Sequence, residues 1–147
     1  MTELPARVRM IDVGAKPVVA REAVARGRLR LHATTLERLR RDDVPKGAAL
    51  AVAETAAILA AKRTASLLPL CHPLPLDAVD VRWAIPASDR LEVEVTVRTR
   101  APTGVEMEAL TAAAVALLTV VDMAKGEDAS LAIEELCLVR KTKGEPA

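Results

Sequence analysis

The stretch VDVRWAIPASDRLEVEVTVRTR (residues 79–100) shows most directly what kind of sheet this chain builds. Apolar and polar residues alternate on either side of the segment PASD, which is the pattern of strands with one buried face. Pro, Ser and Asp between the two halves favour a turn. The stretch therefore predicts a β-hairpin with strands at residues 79–85 and 90–100, and with it an antiparallel sheet.

Alternation and helix propensity extend this prediction along the chain. Two further strands are expected at ARGRLRLH (residues 25–32) and AIEELCLVRK (residues 132–141). Helices are expected at TTLERLRRD (residues 34–42, capped by Thr34 or Thr35), AALAVAETAAILAAKRTASLL (residues 48–68) and EMEALTAAAVALLTVVDMAK (residues 106–125). The proline-rich segment PLCHPLPL, between the second helix and the hairpin, cannot be a regular helix.

The resulting order, β-α-α-β-β-α-β, predicts an α+β fold of the ferredoxin-like kind. This is a four-stranded antiparallel sheet with helices packed on one face, and the other face meets solvent or a partner subunit. A chain of 147 residues has the usual size of one domain, so we expect residues 1–147 to form a single domain. The ends, about residues 1–8 and 142–147, are expected to be mobile.

Composition and charge argue against several classes of partner. Lys and Arg total 21 against 20 Asp and Glu, and Trp83 is the one Phe, Tyr or Trp residue, so neither duplex binding nor base stacking is expected. The sequence has no run of 18 or more apolar residues and no signal-peptide core, so we expect no membrane span and a cytoplasmic protein. Cys71 and Cys137 lack metal-ligand spacing and are expected to be reduced there.

Glu106 and Glu108 stand at the head of the longest predicted helix, in the segment PTGVEMEAL. Residues two apart are separated by roughly 200° around a helix axis, so these carboxylates are not expected to act on one bond as a pair. Thr103 and Glu106 match the capping-box pattern, which gives Glu106 a structural alternative. Glu108 is either a first-turn carboxylate favoured by the helix dipole or a group that contacts a ligand.

Five other residues have both a structural and a functional interpretation. His72, in LCHPL, is either a packed histidine or a group that binds phosphate, moves a proton or ligates a metal. Lys62 is either a cation favoured by the helix dipole at the end of an apolar helix or a residue that binds a phosphate. Asp122 and Lys125, three apart on one helix face, form a surface ion pair or an acid–base unit in a cleft. Lys46 is a solvated loop residue or a catalytic amine, whose ordinary pKa of about 10.4 must then be lowered.

Four blocks of sequence carry a resemblance to a known family: MIDVGAKPVVAREA (residues 10–23), PKG (residues 45–47), AAKRTASLLPLCHPL (residues 60–74) and TGVEMEALTAAAVALLTVVDMAK (residues 103–125). With Lys141 in the last predicted strand, they cover most of the chain. The chain resembles the cyclic pyranopterin monophosphate synthases, the family of molybdenum cofactor biosynthesis protein C. LCHPL together with TGVEMEALTA is the most specific part of the resemblance.

The resemblance implies a lyase with a small nucleotide-derived substrate. Members of the family convert 3′,8-cyclo-7,8-dihydroguanosine 5′-triphosphate into cyclic pyranopterin monophosphate and pyrophosphate. They have a ferredoxin-like fold and assemble as hexamers made of three dimers. The resemblance implies no required cofactor, although Mg²⁺ is expected to accompany the triphosphate.

The resemblance also implies roles for individual residues. Lys46, Asp122 and Lys125 are the implied catalytic residues, the lysines acting as general acid and base and Asp122 tuning Lys125. The implied substrate-binding residues are Arg21, Lys62, Leu70, Cys71, His72, Glu106, Met107, Glu108 and Lys141. Among these, Arg21 and Lys141 are expected to face the triphosphate, and no metal ligand is implied.

The spacing of two of these residues has a consequence for assembly. Glu108 and Asp122 are 14 positions apart, which is roughly 21 Å along one helix. A small-molecule site cannot easily touch both ends of a straight helix. We therefore expect different subunits to supply the two residues, at a homodimer interface.

The chain departs from the family pattern at three places. The loop reads VPKGAAL where the family usually has a histidine before the lysine and an aspartate after the glycine. Glu54 stands where a basic residue is common, and the basic C-terminal tail is reduced to KTKGE. The alternative interpretations are a weakly active paralogue, a non-catalytic ferredoxin-like ligand-binding or assembly domain, and a metal-dependent hydrolase built on His72, Cys71 and the glutamates.

Overall fold

The computed structural model describes residues 4–5 and 7–145. Within these residues the elements are β1 (Val19–Arg30), α1 (Ala33–Arg40), α2 (Ala49–Lys62), α3 (Thr64–Leu67), β2 (Ala78–Ala87), β3 (Arg90–Ala101), α4 (Glu106–Ala124) and β4 (Ala132–Lys143). The residues 1–3, 6 and 146–147 lie outside the described part, and the mobility of both chain ends stays a prediction.

The strands form one four-stranded sheet in the order β2-β3-β1-β4, and every neighbouring pair is antiparallel. The predicted hairpin is β2–β3, in which Val81 lies opposite Val95 and Trp83 opposite Val93. The two longer helices pack on one face of this sheet, so the predicted α+β fold of the ferredoxin-like kind is confirmed.

Small residues let the helices approach the sheet and each other closely. α2 presents a stripe of buried alanines that includes Ala53 and Ala57, and α4 packs against it with alanines of its own. At Gly27 of β1 an added Cβ would lie 2.6 Å from a methyl carbon of Leu117, so a larger residue would force Leu117 to shift. The glycine lets α4 pack closely against β1, a central strand of the sheet.

The start of α1 differs from the prediction. The helix begins at Ala33 with His32 as its N-cap, and no side chain of the cap residue bonds the helix. The carboxylate of Asp128, from the loop after α4, instead accepts the N–H of His32 at 2.8 Å. The predicted cap by Thr34 or Thr35 is therefore wrong, because both residues lie inside the first turn of the helix.

Three predicted boundaries also shift. The helix predicted at residues 48–68 breaks at Arg63, where the Thr64 hydroxyl donates to the carbonyl oxygens of Ala60 and Ala61, 3.0 Å from each. β1 begins at Val19, six residues before the predicted start, since its early residues pair with both β3 and β4. β4 likewise continues to Lys143.

Glu54, one of the departures from the family pattern, has a structural role. Its carboxylate accepts the indole N–H of Trp83 at 3.0 Å, which ties α2 to the edge strand β2. A basic side chain could not accept this hydrogen bond. The substitution therefore concerns helix–sheet packing and does not involve the predicted site residues.

By length and composition, α4 is the one described helix that could cross a membrane. Its apolar surface is used otherwise, because the buried side chains of α4 form the centre of the core with β1, β3 and α2. A core helix of this kind passes the same test, so the helix is weak evidence for a membrane span.

Candidate active site

The predicted site residues fall into two groups at opposite ends of α4. Lys46, Asp122 and Lys125, called here the lysine cluster, meet at its C-terminal end. Met107 and Glu108 lie at its N-terminal end, where they line a cavity with the loop after α3. α2 and α4 run antiparallel, which brings the segment before α2 to one end of α4 and the segment after α3 to the other.

The lysine cluster is held by a tight turn. Gly47 adopts a φ of 100°, in the left-handed region that favours glycine, and its N–H donates to the carbonyl of Val44 at 2.9 Å. The turn places Lys46 Nζ 3.1 Å from both Oδ2 and the main-chain oxygen of Asp122. Lys125 Nζ lies 2.9 Å from the other carboxylate oxygen, Oδ1.

Asp122 stays ionised in this arrangement. Hydrogen bonds from Lys125 and Lys46, together with their positive charges, hold the pKa of the Asp122 carboxyl below its usual value. The three side chains are between 50% and 65% exposed, so both ammonium groups are accessible. One carboxylate thus positions two ammonium groups, which is an arrangement suited to general acid–base chemistry on a ligand that covers it.

The cavity at the other end has a volume of about 300 Å³ and is called here the N-terminal cavity. Its lining comprises Ile11, Val13, Lys16, Leu70, Cys71, His72, Leu74, Thr103, Gly104, Glu106, Met107 and Glu108. Six of the nine predicted substrate-binding residues are in this set. The cavity size suits one small heterocyclic ligand.

A strap of chain before β1 forms one wall of the N-terminal cavity. The strap, residues 10–16, is fixed by a turn in which the N–H of Lys16 donates to the carbonyl of Val13 at 3.0 Å. His72 Nε2 lies 2.7 Å from the carbonyl oxygen of Ile11, which joins the strap to the loop after α3. Sequence reasoning missed Lys16 because the strap has no periodic pattern, although its segment belonged to the blocks of resemblance.

Glu108 is the most unusual group in the cavity. It is 3% exposed, and its Oε2 atom has no hydrogen-bond partner among the described residues. Burial raises the pKa of Glu108, and the charge of Glu106 adds to this, against the lowering effect of a backbone hydrogen bond. A carboxyl group with a raised pKa and a free oxygen can donate or accept a proton or hydrogen bond from a ligand.

Glu106 does not cap the helix. It is the first residue of α4, Val105 occupies the N-cap, and no side chain of the cap residue bonds the helix. The Glu106 carboxylate instead lies over Gly104 and 3.5 Å from the ammonium group of Lys141. The capping-box prediction with Thr103 is therefore wrong, because the attraction of Lys141 draws the carboxylate away from the helix end.

Cys71 is kept as a neutral thiol. Burial raises its pKa, and the negative charges of Glu108 and Glu106 raise it further. A thiolate is the reactive form of cysteine, so this environment disfavours nucleophilic chemistry at Cys71. The residue serves as a wall of the cavity.

A second, smaller cavity of about 200 Å³ adjoins the first and shares Gly104 and Glu106 with it. We call it the cation cavity, and its lining comprises Arg21, Glu22, Gly104, Glu106, Lys141, Thr142 and Lys143. Arg21 is anchored by donating to the carbonyl of Pro102 at 3.1 Å. Lys62, exposed at the end of α2, lines neither cavity.

Metal ligands are not grouped in the described part of the chain. No set of three or more His, Cys, Asp or Glu side chains there could hold a metal ion. The absence of a resident metal stays a prediction. The charged groups of the lysine cluster and of the two cavities are instead ammonium, guanidinium and carboxyl groups.

Fold and site together define a small ferredoxin-like enzyme whose groups suit an anionic ligand and proton transfer. The chain belongs to the MoaC family, whose profile matches residues 10–144. That range includes the lysine cluster and both cavities.

Full-length relatives agree with this membership. The chain is 54% identical over 140 residues to the cyclic pyranopterin monophosphate synthase of Roseiflexus sp. (strain RS-1), covering 94% of this chain and 88% of the relative. It is 52% identical over 137 residues to the protein of that name from Chloroflexus aurantiacus (strain ATCC 29366 / DSM 635 / J-10-fl), covering 92% and 84%. It is 51% identical over 136 residues to the cyclic pyranopterin monophosphate synthase of Novosphingobium aromaticivorans, covering 92% of this chain and 86% of the relative.

Proposed function

We propose that this chain converts 3′,8-cyclo-7,8-dihydroguanosine 5′-triphosphate into cyclic pyranopterin monophosphate and pyrophosphate. It is a cyclic pyranopterin monophosphate synthase, a lyase of molybdenum cofactor biosynthesis. The observation that carries this function is that the family match spans residues 10–144 and includes every predicted site residue. The departures at the VPKGAAL loop leave Lys46 in contact with Asp122, which argues against a loss of the catalytic position.

The geometry supports a division of labour within the reaction. To form the cyclic phosphate, a substrate hydroxyl oxygen bonds to the α-phosphorus. The bond between the α-phosphorus and the oxygen that leaves with pyrophosphate breaks in the same step. Lys46 and Lys125, both positioned by Asp122 as ammonium groups, donate protons and take them back as the purine-derived ring opens and recloses. Arg21 and Lys141 offset the charge of the phosphates and of the departing pyrophosphate.

The ring system fits the N-terminal cavity. Met107 and Leu70 supply apolar walls, while His72 and Glu108 supply polar groups that can bond the ring edges. Glu108 is buried and lacks a partner, so a ring N–H or carbonyl would satisfy it. The shared wall at Glu106 lets one ligand place its ring in this cavity and its phosphates in the cation cavity.

The lysine cluster and the two cavities lie at opposite ends of α4. The lysine cluster lies roughly 21 Å along α4 from Glu108, and it lies outside the residues that line the two cavities. We propose that the lysine cluster of one subunit completes the cavities of its partner across a homodimer interface, in a hexamer made of three dimers. Exposed apolar residues on α4 and the cavity loop, including Leu118, Met107 and Leu70, suit such a contact.

Mixing two inactive variants tests this arrangement. Lys46→Ala and Glu108→Gln chains, co-expressed with different tags, should regain about a quarter of wild-type activity with random pairing. Half of the dimers are then mixed, and one of their two sites draws both intact residues from different chains. Activity no higher than that of the separate variants would show that each chain builds its site alone.

The catalytic assignment is tested by Lys46→Ala and Asp122→Asn. Loss of a positioned acid or base is expected to lower kcat about 100- to 10,000-fold, measured as pyrophosphate release from the cyclic triphosphate. Stability should change by less than about 1 kcal/mol, since exposed ion pairs contribute little. Arg41→Ala, an exposed cation of the same region, is the control. Unchanged turnover in both variants would favour a non-catalytic ligand-binding domain.

We further propose that the reaction takes place in the cytoplasm without a resident cofactor or nucleic acid partner. The charge balance of the chain and its two free cysteines, Cys71 and Cys137, are in keeping with this. Mg²⁺ would enter only with the triphosphate. Metal analysis of purified protein and turnover in excess chelator, with and without added Mg²⁺, test this; a tightly bound metal needed for turnover would contradict it.

A further inference from the structure

Two cations face each other across the sheet at the cation cavity. Arg21 of β1 lies directly opposite Lys143 of β4 in the strand register. Like charges in this position destabilise a sheet unless something offsets them. Among the described residues, neither side chain is within 4.0 Å of a carboxylate oxygen.

A second pair of this kind shows how the chain offsets such repulsion. Arg30 lies opposite Arg90, and the carboxylate of Glu134 bridges them, at 3.1 Å from Arg30 Nε and 2.8 Å from Arg90 Nε. The Arg21–Lys143 pair has the same like-charge geometry without a bridging carboxylate. An anion from solution could take the place that Glu134 takes in the first pair.

The two carboxylates that line the cation cavity, Glu22 and Glu106, are already engaged. Glu22 pairs with Arg140 at 3.1 Å and approaches Arg98 at 3.9 Å. Glu106 pairs with Lys141 at 3.5 Å. Once these pairs are counted, the charges of Arg21 and Lys143 remain as the uncompensated positive charge of the cation cavity.

Arg21 also has hydrogen-bonding capacity left over. One terminal nitrogen donates to Pro102, whereas its Nε is buried without a partner among the described residues. A buried donor of this kind costs free energy until an acceptor arrives. Phosphate oxygens are suitable acceptors, because guanidinium groups bind them with two parallel hydrogen bonds.

We propose that Lys143 is a further phosphate-binding residue, which together with Arg21 clamps a phosphate group of the substrate in the cation cavity. This inference rests on the proposed function and adds a residue to the phosphate contacts expected of Arg21 and Lys141. The cavity joins the N-terminal cavity at Glu106, so the clamped phosphate belongs to the ligand whose ring lies there. The shortened tail KTKGE thus keeps two cations, Lys141 and Lys143, inside the last strand.

The test compares Lys143→Ala and Lys143→Arg with Arg41→Ala, which removes an exposed cation just after α1. The dissociation constant of pyrophosphate is measured by calorimetry, and KM and kcat are measured with the cyclic triphosphate. We expect Lys143→Ala to weaken pyrophosphate binding and raise KM, each about tenfold, with kcat nearly unchanged. Lys143→Arg should stay within about threefold of wild type, because it keeps the charge.

The outcomes separate this inference from the function on which it rests. Lys143→Ala values equal to those of Arg41→Ala in both measurements would overturn the clamp while leaving the synthase function in place. Pyrophosphate binding that depends on Lys143 in a protein without turnover would keep the anion site and overturn the function. A lowered kcat with unchanged KM and pyrophosphate affinity would also overturn the clamp.

Discussion

Glu108 and Asp128 are the two charged residues buried in the described part of the chain, and each is 3% exposed. They differ in how fully their carboxylate oxygens are hydrogen-bonded. Asp128 follows the C-terminal end of α4 and accepts hydrogen bonds from the N–H of His32 and from the N–H and hydroxyl of Ser130, at 2.6–2.8 Å. Glu108, at the N-terminal end, leaves one oxygen without a partner. A satisfied buried carboxylate supports a fold, whereas an unsatisfied one in a cavity suits a ligand.

The direction of the pKa shifts follows the same contrast. Burial would raise the pKa of Asp128, but the hydrogen bonds from Ser130, His32 and Thr35 outweigh it and hold the pKa well below its usual range. For Glu108 burial prevails and the pKa is raised. The charged form is therefore favoured at one end of α4 and disfavoured at the other, and the two substitutions to the corresponding amide should have opposite effects.

Of the two amide substitutions, Glu108→Gln is expected to have the larger effect on activity. Removing the ionisable group should lower kcat/KM about 100- to 1000-fold. Stability should rise by about 1 kcal/mol at pH 7, or roughly 2–4 °C in Tm, because a buried charge is removed. The ionisation of wild-type Glu108 destabilises the fold increasingly as pH rises through its raised pKa, so the Tm difference should vanish below about pH 4.

Glu37→Gln, an exposed carboxylate on α1, is the matched control and should alter neither quantity. A Glu108→Gln protein that keeps wild-type activity, or one that is less stable than wild type at pH 7, would remove the contrast with Asp128.

Asp128→Asn is expected to have the largest effect on stability. The amide can no longer accept all the hydrogen bonds from His32 and Ser130, so the free energy of unfolding should fall by about 2 kcal/mol at pH 7. Asp128 contributes this stability above its ordinary pKa near 3.8 and loses it as pH falls through its lowered pKa, so the difference should shrink in acid. Thermal melts from pH 2.5 to pH 7 measure this. Activity per folded molecule should match wild type, and a selective loss of kcat would contradict a structural role.

Gly104→Ala is expected to have the smallest effect. Its new Cβ would lie 2.6 Å from Oε1 of Glu106, so the carboxylate must leave its place beside Lys141. We expect kcat/KM to fall about tenfold with little change in Tm, since the end of a flexible side chain moves at low cost. Gly126→Ala meets no atom within 4 Å and should change neither value. Equal kcat/KM in the two variants would show that the position of Glu106 is unimportant.

The sequence was sufficient for the sheet and for the three main helices, because alternation and alanine-rich segments are local signals. The β2–β3 hairpin, with Val81 opposite Val95, follows directly from the alternation on both sides of its turn. The cap of α1 could not be predicted in this way, because Asp128 lies 96 positions from His32. Local motifs failed where a distant charge prevailed, as at Glu106, whose carboxylate pairs with Lys141 in place of capping α4.

In the candidate site, too, local sequence signals predicted some features, whereas contacts between distant residues determined others. The catalytic roles of Lys46, Asp122 and Lys125 were predicted by resemblance, and the contact between Asp122 and Lys125 follows from their i,i+3 spacing. The contact of Lys46 with Asp122, 76 positions away, depends on tertiary structure. The roles of these residues stay predictions. Lys16 and Lys143 were not predicted, since one lies in an irregular strap and the other is defined by its partner across the sheet.

Trp83 has an optical consequence for experiments on this protein. The chain has no tyrosine and no phenylalanine, so almost all of its near-ultraviolet absorption and emission comes from the one indole that Glu54 holds between α2 and β2. The indole emission reports on a single point, so docking of α2 on the sheet edge can be timed separately from assembly of the subunits.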